Sequence, residues 1–263
     1  MSEPTSGVLE ATLRARRDKG RKLLVPYVTG GVDAGWTDVV RAVADAGADA
    51  IEIGIPFSDP VMDGPVIQEA SERALARGVT PASVLDELRD VDAGAPLAVM
   101  TYYNICFHMG HERFARTLVD SGVSAAILPD LPLEEVQPWA DVADTAGVET
   151  VLLAAPTAPD ERLPRVCERA RGFVYAVGLL GVTGERDELA TSATVIAKRL
   201  KDVTDKPVLI GVGVSTPEQA VQACEVADGV VIGSAIMRRL LDGEGPEGAA
   251  RFVRDVRRAL DSR

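Results

Sequence analysis

Short runs of Val, Ile, Leu and Ala alternate along this chain with segments whose apolar residues recur at helical spacing. The continuous apolar runs begin near residues 23, 49, 97, 124, 149, 173, 207 and 229. Runs of this length, bounded by Gly, Pro and Asp, read as strands covered on both faces, as in a parallel sheet. Between them the spacing predicts helices over 8–20, 33–46, 65–77, a second stretch opening at Thr80-Pro81, 111–120, 192–202 and 247–261. Further helices are expected within LPLEEVQPWADVADTAG, APDERLPRVCERA, TPEQAVQACEV and AIMRRL. The strand of 96–103 and the polar stretch after it, which carries His108 and His111, are expected to precede the 111–120 helix as strand and loop. Eight strand–helix units in roughly 250 residues predict an α/β chain folded as a (β/α)₈ barrel with additional short helices. An open doubly wound sheet is the alternative, but its Gly-rich nucleotide turn follows the first strand. Here that turn is TGG, whereas GVGVS follows the seventh run. No long linker interrupts the pattern, so residues 1–263 are expected to form a single domain.

Composition narrows the function. With 28 Lys+Arg against 40 Asp+Glu the net charge is −12, which argues against general nucleic-acid binding. Two histidines are too few for a His-rich metal site, and the cysteines Cys106, Cys167 and Cys224 lack the spacing of one. They read as reduced residues of an intracellular protein. No signal peptide or apolar run of membrane length is evident, so a cytoplasmic chain without membrane contact is expected.

The chemistry concentrates in IEIGIPFSDPVMDGP, residues 51–65. Side chains alternate along a strand, so Glu52 points away from Ile51 and Ile53 and into a covered interior. Such a carboxylate either pairs with a neighbouring Lys or backbone group, or is kept for proton transfer. Asp63 follows in the turn, where DG alone would favour an Asp. In a barrel the loops at the C-terminal ends of the strands build the active site. Those ends also carry Tyr27 and Thr29, Tyr102, Tyr103 and Asn104, Pro129-Asp130, Tyr175, and Gly181, Val182, Thr183 and Gly184. Strand seven ends in Gly211, Gly213 and Ser215, and strand eight in Gly233 and Ser234 just before a short helix. Glycines permit close backbone approach and a helix N-terminus attracts anions, so these loops predict a phosphate grip. Lys22 and Lys206 precede their strands, which disfavours Schiff-base chemistry at the opposite face. His108 and His111 read as surface residues, and Glu134 and Glu135 as charges at a helix N-terminus. Asp59 reads either as a turn former or as facing a partner. Proton transfer by Glu52 is the simplest mechanism; a carboxylate-bound Mg²⁺ would have few ligands.

The segment IEIGIPFSDPVMDGPVIQ, together with VPYVTG, YYN, PDLPLEE, GVTG, GVGVS and VIGSAI in that order, resembles the tryptophan synthase alpha chain over about residues 8–260. The resemblance implies a (β/α)₈ barrel that cleaves indole-3-glycerol phosphate to indole and glyceraldehyde 3-phosphate. It implies no cofactor in this chain and no metal. It also implies docking on a pyridoxal-phosphate beta chain in an alpha2beta2 tetramer, with indole passing through a tunnel. By position, Glu52 and Asp63 match the family's catalytic pair. Tyr27, Tyr102, Tyr175 and Thr183 match residues at the substrate, the Tyr27 position being usually Phe. Gly184, Gly213, Gly233 and Ser234 match the phosphate site, and Pro56, Asp59 and Pro60 the beta-chain surface. The chain departs from the pattern at YAVGLL before GVTG, in the short VTGG turn and in NICFHMG, which bears on loop details and pocket shape.

Overall fold

The computed structural model describes residues 7–178, 191–211 and 213–262. Eight parallel strands close in sequence order: β1 Leu23–Thr29, β2 Ile51–Gly54, β3 Leu97–Met100, β4 Val123–Ile127, β5 Glu149–Ala154, β6 Val174–Ala176, β7 Val208–Ile210 and β8 Gly229–Ile232. The last strand pairs with the first, Leu23 to Pro26 of β1 lying against Gly229 to Ile232 of β8. The helices are α1 Val8–Arg17, α2 Trp36–Asp45, α3 Pro65–Ala76, α4 Pro81–Leu88, α5 Tyr103–Met109, α6 His111–Asp120, α7 Gln137–Ala146, α8 Arg162–Arg169, α9 Thr191–Lys201, α10 Pro217–Ala223, α11 Ser234–Leu241 and α12 Gly245–Asp261. Their starts follow from local chemistry. Thr80 and Thr216 each cap a helix in a reciprocal box with the residue three positions on, and Pro81 and Pro217 occupy first-turn positions that need no N–H. Among the described residues no helix is long and apolar enough to cross a membrane.

Inside the barrel, Leu23, Val25, Ala50, Ala98, Ile127 and Val151 pack with Leu9 and Leu13 of α1, which closes the N-terminal end of the strands. Glu149, the first residue of β5 and buried, fixes that closure. Its carboxylate accepts the N–H groups of Leu9 at 2.6 Å and Glu10 at 2.9 Å, two of the donors that the first turn of a helix leaves free. Gly7 just before α1 must stay bare, because an added Cβ would meet the Glu149 carboxyl carbon at 2.4 Å. Nearby, fully buried Asp49 receives Arg16 and Arg21 on one oxygen, and Arg257 and the Leu24 N–H on the other. Removing any one of these donors would leave a buried charge short of a partner. Lys22 donates to the Ala227 carbonyl, and Lys206 to carbonyls at the end of α8, so both lysines serve this face. Cys106, Cys167 and Cys224 are buried and unpaired.

The structure corrects the local expectation after β3. β3 ends at Met100 and a helix begins at Tyr103, so the stretch expected to be strand and polar loop is α5. The Tyr103 N–H donates to Asp130 Oδ1 at 2.8 Å, and Gly110 at φ +83° turns the chain into α6. Exposed His108 lies on α5, while His111 opens α6 half-buried, its Nε2 lying 2.9 Å from the Tyr103 hydroxyl. Glu134 and Glu135 lie just before α7, at the helix N-terminus expected of them. Glu134 also takes a two-pronged contact from Arg162 at 2.6 and 2.8 Å, tying the loop after β4 to α8.

Candidate active site

At the C-terminal ends of the strands the sequence brings two carboxylates and three tyrosines to one mouth. Glu52 pairs in register with Tyr27 on β1 and with Ala98 on β3, so its inward side chain has one large polar neighbour and one small apolar one. It is 1 % exposed, its Oε2 has no hydrogen-bond partner, and no ion pair among the described residues includes it. Burial, helped by the charge of Asp63, pushes its carboxyl up to about 8. The alternative of a structural carboxylate held by a Lys is therefore not what the fold provides.

Asp63 reaches the same mouth through the turn after β2. The backbone folds back from Pro60, whose carbonyl accepts the Asp63 N–H at 3.0 Å, and Gln68 holds the Asp63 carbonyl at 2.8 Å. Gly64 and Pro65 then start α3 directly behind the acid. The Tyr102 hydroxyl accepts the Met62 N–H at 2.9 Å and hydrogen-bonds the Asp63 carboxylate, while its ring stacks on Phe57 at 5.0 Å. Tyr102 thus clamps the β2 turn to β3. Desolvation raises Asp63 to about 6 against the opposing effect of that hydroxyl. Tyr102 is itself pushed up to about 12, mainly by burial.

Tyr27 and Tyr175 flank this pair in slots that only glycine can supply. A Cβ on Gly54 would lie 1.9 Å from the Tyr27 hydroxyl oxygen, and one on Gly211 would lie 1.8 Å from the Tyr175 ring. Both phenols are held well above their ordinary range, first by burial and then by the nearby carboxylates, so they remain hydrogen donors at neutral pH. Gly54 carries no mark in the sequence beyond its type, and Gly211, expected in the phosphate-gripping loop, is where the Tyr175 ring packs. Only the register Tyr27–Glu52, two positions before Gly54, gives Gly54 its meaning.

Across the mouth, Gly233 precedes α11 as its N-cap and Ser234 is its exposed first residue, making no side-chain cap. Gly213, at φ +82°, is exposed in the loop after β7. Gly213, Gly233 and Ser234 therefore lie at the ends of β7 and β8, as expected, with amide-rich backbone open to an anion. Thr183 and Gly184, like Gly181 and Val182, lie outside the described residues. Of the three positions expected at a partner surface, Asp59 is exposed and receives the Ser58 hydroxyl at 2.6 Å, Pro60 is half-buried, and Pro56 is buried. Val61, at 83 % exposed, and Phe107, at 65 %, are apolar side chains on this face that the hydrophobic pattern does not single out.

A cavity of about 400 Å³ opens at the C-terminal ends of β4 and β5, lined by Met62, Leu128, Leu153 and Val177 and reaching outward to Arg162; neither Glu52 nor Asp63 lines it. Met62, the residue before Asp63, is the one part of the β2 turn that reaches the cavity. Among the described residues no group of three His, Cys, Asp or Glu side chains is disposed to hold a metal ion.

A model of the tryptophan synthase alpha chain family matches residues 13–259. The chain belongs to that family. The tryptophan synthase alpha chain of Thermobifida fusca is 43% identical over 254 residues, covering 94% of each chain. That of Streptomyces coelicolor is 41% identical over 266 residues, covering 96% of each. Among solved structures, tryptophan synthase from M. tuberculosis superposes with a TM-score of 0.88 at 33% identity, covering 97% of this chain and 98% of that one. The Legionella pneumophila alpha chain gives 0.89 at 30% identity, covering 98% of both. An alpha chain of this family therefore carries Glu52, Asp63 and the glycine-seated tyrosines on a closed (β/α)₈ barrel.

Proposed function

We propose that this alpha chain is a carbon–carbon lyase that cleaves indole-3-glycerol phosphate by a retro-aldol reaction, with Glu52 as its proton carrier. The observation that carries the reading is Glu52 itself: buried, with one oxygen unpartnered, and raised to about 8. At neutral pH it is protonated and can deliver that proton to C3 of the indole ring. The ring becomes an indoleninium, and Asp63, ionised above about 6, accepts the N1–H and balances the positive charge. Glu52, now a carboxylate, takes the proton of the glycerol hydroxyl on C1′. The hydroxyl oxygen becomes a carbonyl as the C3–C1′ bond breaks, and that bond's electron pair restores the indole. The backbone at Gly213, Gly233 and Ser234 holds the phosphate far from the breaking bond. Tyr102 keeps Asp63 in place and Tyr175 walls the site. Gly184 and Thr183 are assigned to the phosphate and the substrate by their match to the family pattern.

The same reading gives the chain a cytoplasmic beta-chain partner that carries pyridoxal phosphate, in an alpha2beta2 assembly, with no cofactor in the alpha chain. The β2 turn supports it, because Asp59 and the apolar Val61 are exposed on the segment that ends in Asp63. Partner contact and the acid are thus at most a few residues apart. The test is Glu52→Gln, assayed for indole release from indole-3-glycerol phosphate while beta-chain affinity is measured separately. Loss of cleavage with unchanged affinity is the expected result; undiminished cleavage overturns the assignment.

A further inference from the structure

The reaction above requires one substrate hydroxyl to aim its hydrogen at Glu52, and the barrel holds a donor suited to the other side of that hydroxyl. Tyr27 is the ladder neighbour of Glu52 on β1, its side chain pointing into the same layer of the barrel mouth. The other ladder neighbour, Ala98, has nothing polar to offer. The Tyr27 ring is gripped from two strands. Its hydroxyl sits where a side chain on Gly54 would begin, and Gly233 lies under the ring, so that an added Cβ there would be at 3.4 Å from it. It is 8 % exposed and cannot swing away without clearing that slot. Thr29 Oγ1, fully buried two residues on, donates to the Tyr27 oxygen at 3.4 Å. The phenol's own hydrogen is thereby left for an acceptor, and among the described residues no protein group takes it.

We propose that the Tyr27 hydroxyl touches the substrate, donating a hydrogen bond to the oxygen of the reacting glycerol hydroxyl so that this hydroxyl points its hydrogen at Glu52. The order is Thr29 to Tyr27 to substrate to Glu52, each group donating to the next. The proton that moves is the substrate's, and it ends on the Glu52 carboxylate; Tyr27 keeps its own. This assignment rests on the retro-aldol reading. It gives Tyr27 a role that a phenylalanine ring in the same slot would lack, although the ring alone would fill the space. The groups facing the phenol are Glu52 from β2, Asp63 and Tyr102 from the β2 and β3 loops, and Thr29 from its own strand.

The experiment compares wild type with Tyr27→Phe on two ligands. One is indole-3-glycerol phosphate, read as kcat/KM, and the other is indolepropanol phosphate, which lacks both glycerol hydroxyls, read as Kd. Loss of one hydrogen bond to the substrate predicts a fall in kcat/KM of about tenfold, carried mainly by kcat, with no change in the Kd of the analogue. Thr29→Val, which leaves the phenol in place, is expected to give a smaller loss of the same kind. Equal weakening of both ligands would assign Tyr27 to packing and overturn the proposal, as would Tyr27→Phe kinetics equal to wild type. Wild type that fails to cleave the substrate would remove the retro-aldol reading as well, whereas wild-type cleavage that Tyr27→Phe matches removes this inference alone.

Discussion

Keeping Glu52 uncharged inside the barrel has a thermodynamic signature that does not depend on any assay of activity. Its carboxyl is raised from 4.5 to about 8 in the folded chain. The folded state therefore binds the proton more tightly than the unfolded chain does. The stability linked to that proton is fully present below pH 4.5 and is lost as pH rises toward 8, beyond which the loss levels off. Between those limits each pH unit removes about 1.4 kcal/mol. At pH 5 the two states differ little, and the loss is under about 1 kcal/mol. By pH 7 it reaches about 3 kcal/mol, and at pH 9 about 5 kcal/mol, as an upper figure for a group so fully enclosed.

Glu52→Gln removes the titration and keeps the shape. Urea denaturation of wild type and variant at pH 5, 7 and 8.5 gives the difference in unfolding free energy at each pH. Any penalty for placing an amide in the pocket appears as a constant offset, already visible at pH 5. The pH-dependent part isolates the charge, since every other titrating group is common to both proteins. The variant should gain on wild type by about 1.4 kcal/mol per pH unit between pH 5.5 and 7.5. Asp63 titrates lower, at about 6, so the upper half of that window belongs to Glu52. A difference that stays flat from pH 5 to 8.5 would refute the reasoning, because it would mean that Glu52 ionises in the folded barrel as it does in water.

The same two acids set the pH–rate profile of cleavage: with Asp63 needed ionised above about 6 and Glu52 protonated below about 8, kcat/KM should be bell-shaped between those limits, and Asp63→Asn should both lower the rate and move the alkaline limb down. Gly54→Ala places a methyl 1.9 Å from the Tyr27 hydroxyl, so the ring must leave its slot; a stability loss of about 1–3 kcal/mol by denaturation and a fall in kcat/KM are expected together. At the far end of the barrel, Glu149→Leu strands the Leu9 and Glu10 N–H groups, and should cost about 2–4 kcal/mol in urea titrations while leaving the KM for substrate unchanged.

Much of the fold was legible because buried parallel strands write themselves as continuous apolar runs. Each of the eight runs matches a strand to within two residues at its start, although β6 and β7 keep only Val174–Ala176 and Val208–Ile210 of the stretches that predict them. The α5 helix was not legible. YNICFHM has no clear apolar face, and what starts it is a contact from the Tyr103 N–H to Asp130, which lies 27 residues away on the next loop. Glu134 stands at the start of α7 as its position suggests, but only the tertiary arrangement brings Arg162 to it. Tyr102 was placed at the mouth, but its grip on Asp63 needs the Met62 N–H and the Phe57 stack, neither of which periodicity encodes.

Glu52 and Glu149 mark the limit of what a sequence can say about buried acids. Both sit in apolar strand segments, IEIG and ETVLLA, both face the barrel interior, and both are withdrawn from water. Pattern alone treats them alike. The barrel separates them by what each oxygen meets. Glu149 lies at the N-terminal end, where α1 presents two backbone N–H groups that satisfy its charge, and burial raises it against that opposition. Glu52 lies at the C-terminal end, where one oxygen meets no donor and Asp63 adds a like charge. An acid that is satisfied holds the fold together, as α1 requires. An acid left unsatisfied lowers stability at neutral pH, and a fold retains it where the proton it keeps is of use. The Glu52 and Glu149 variants should therefore move stability in opposite directions at pH 7, although both remove a buried carboxylate from the same barrel.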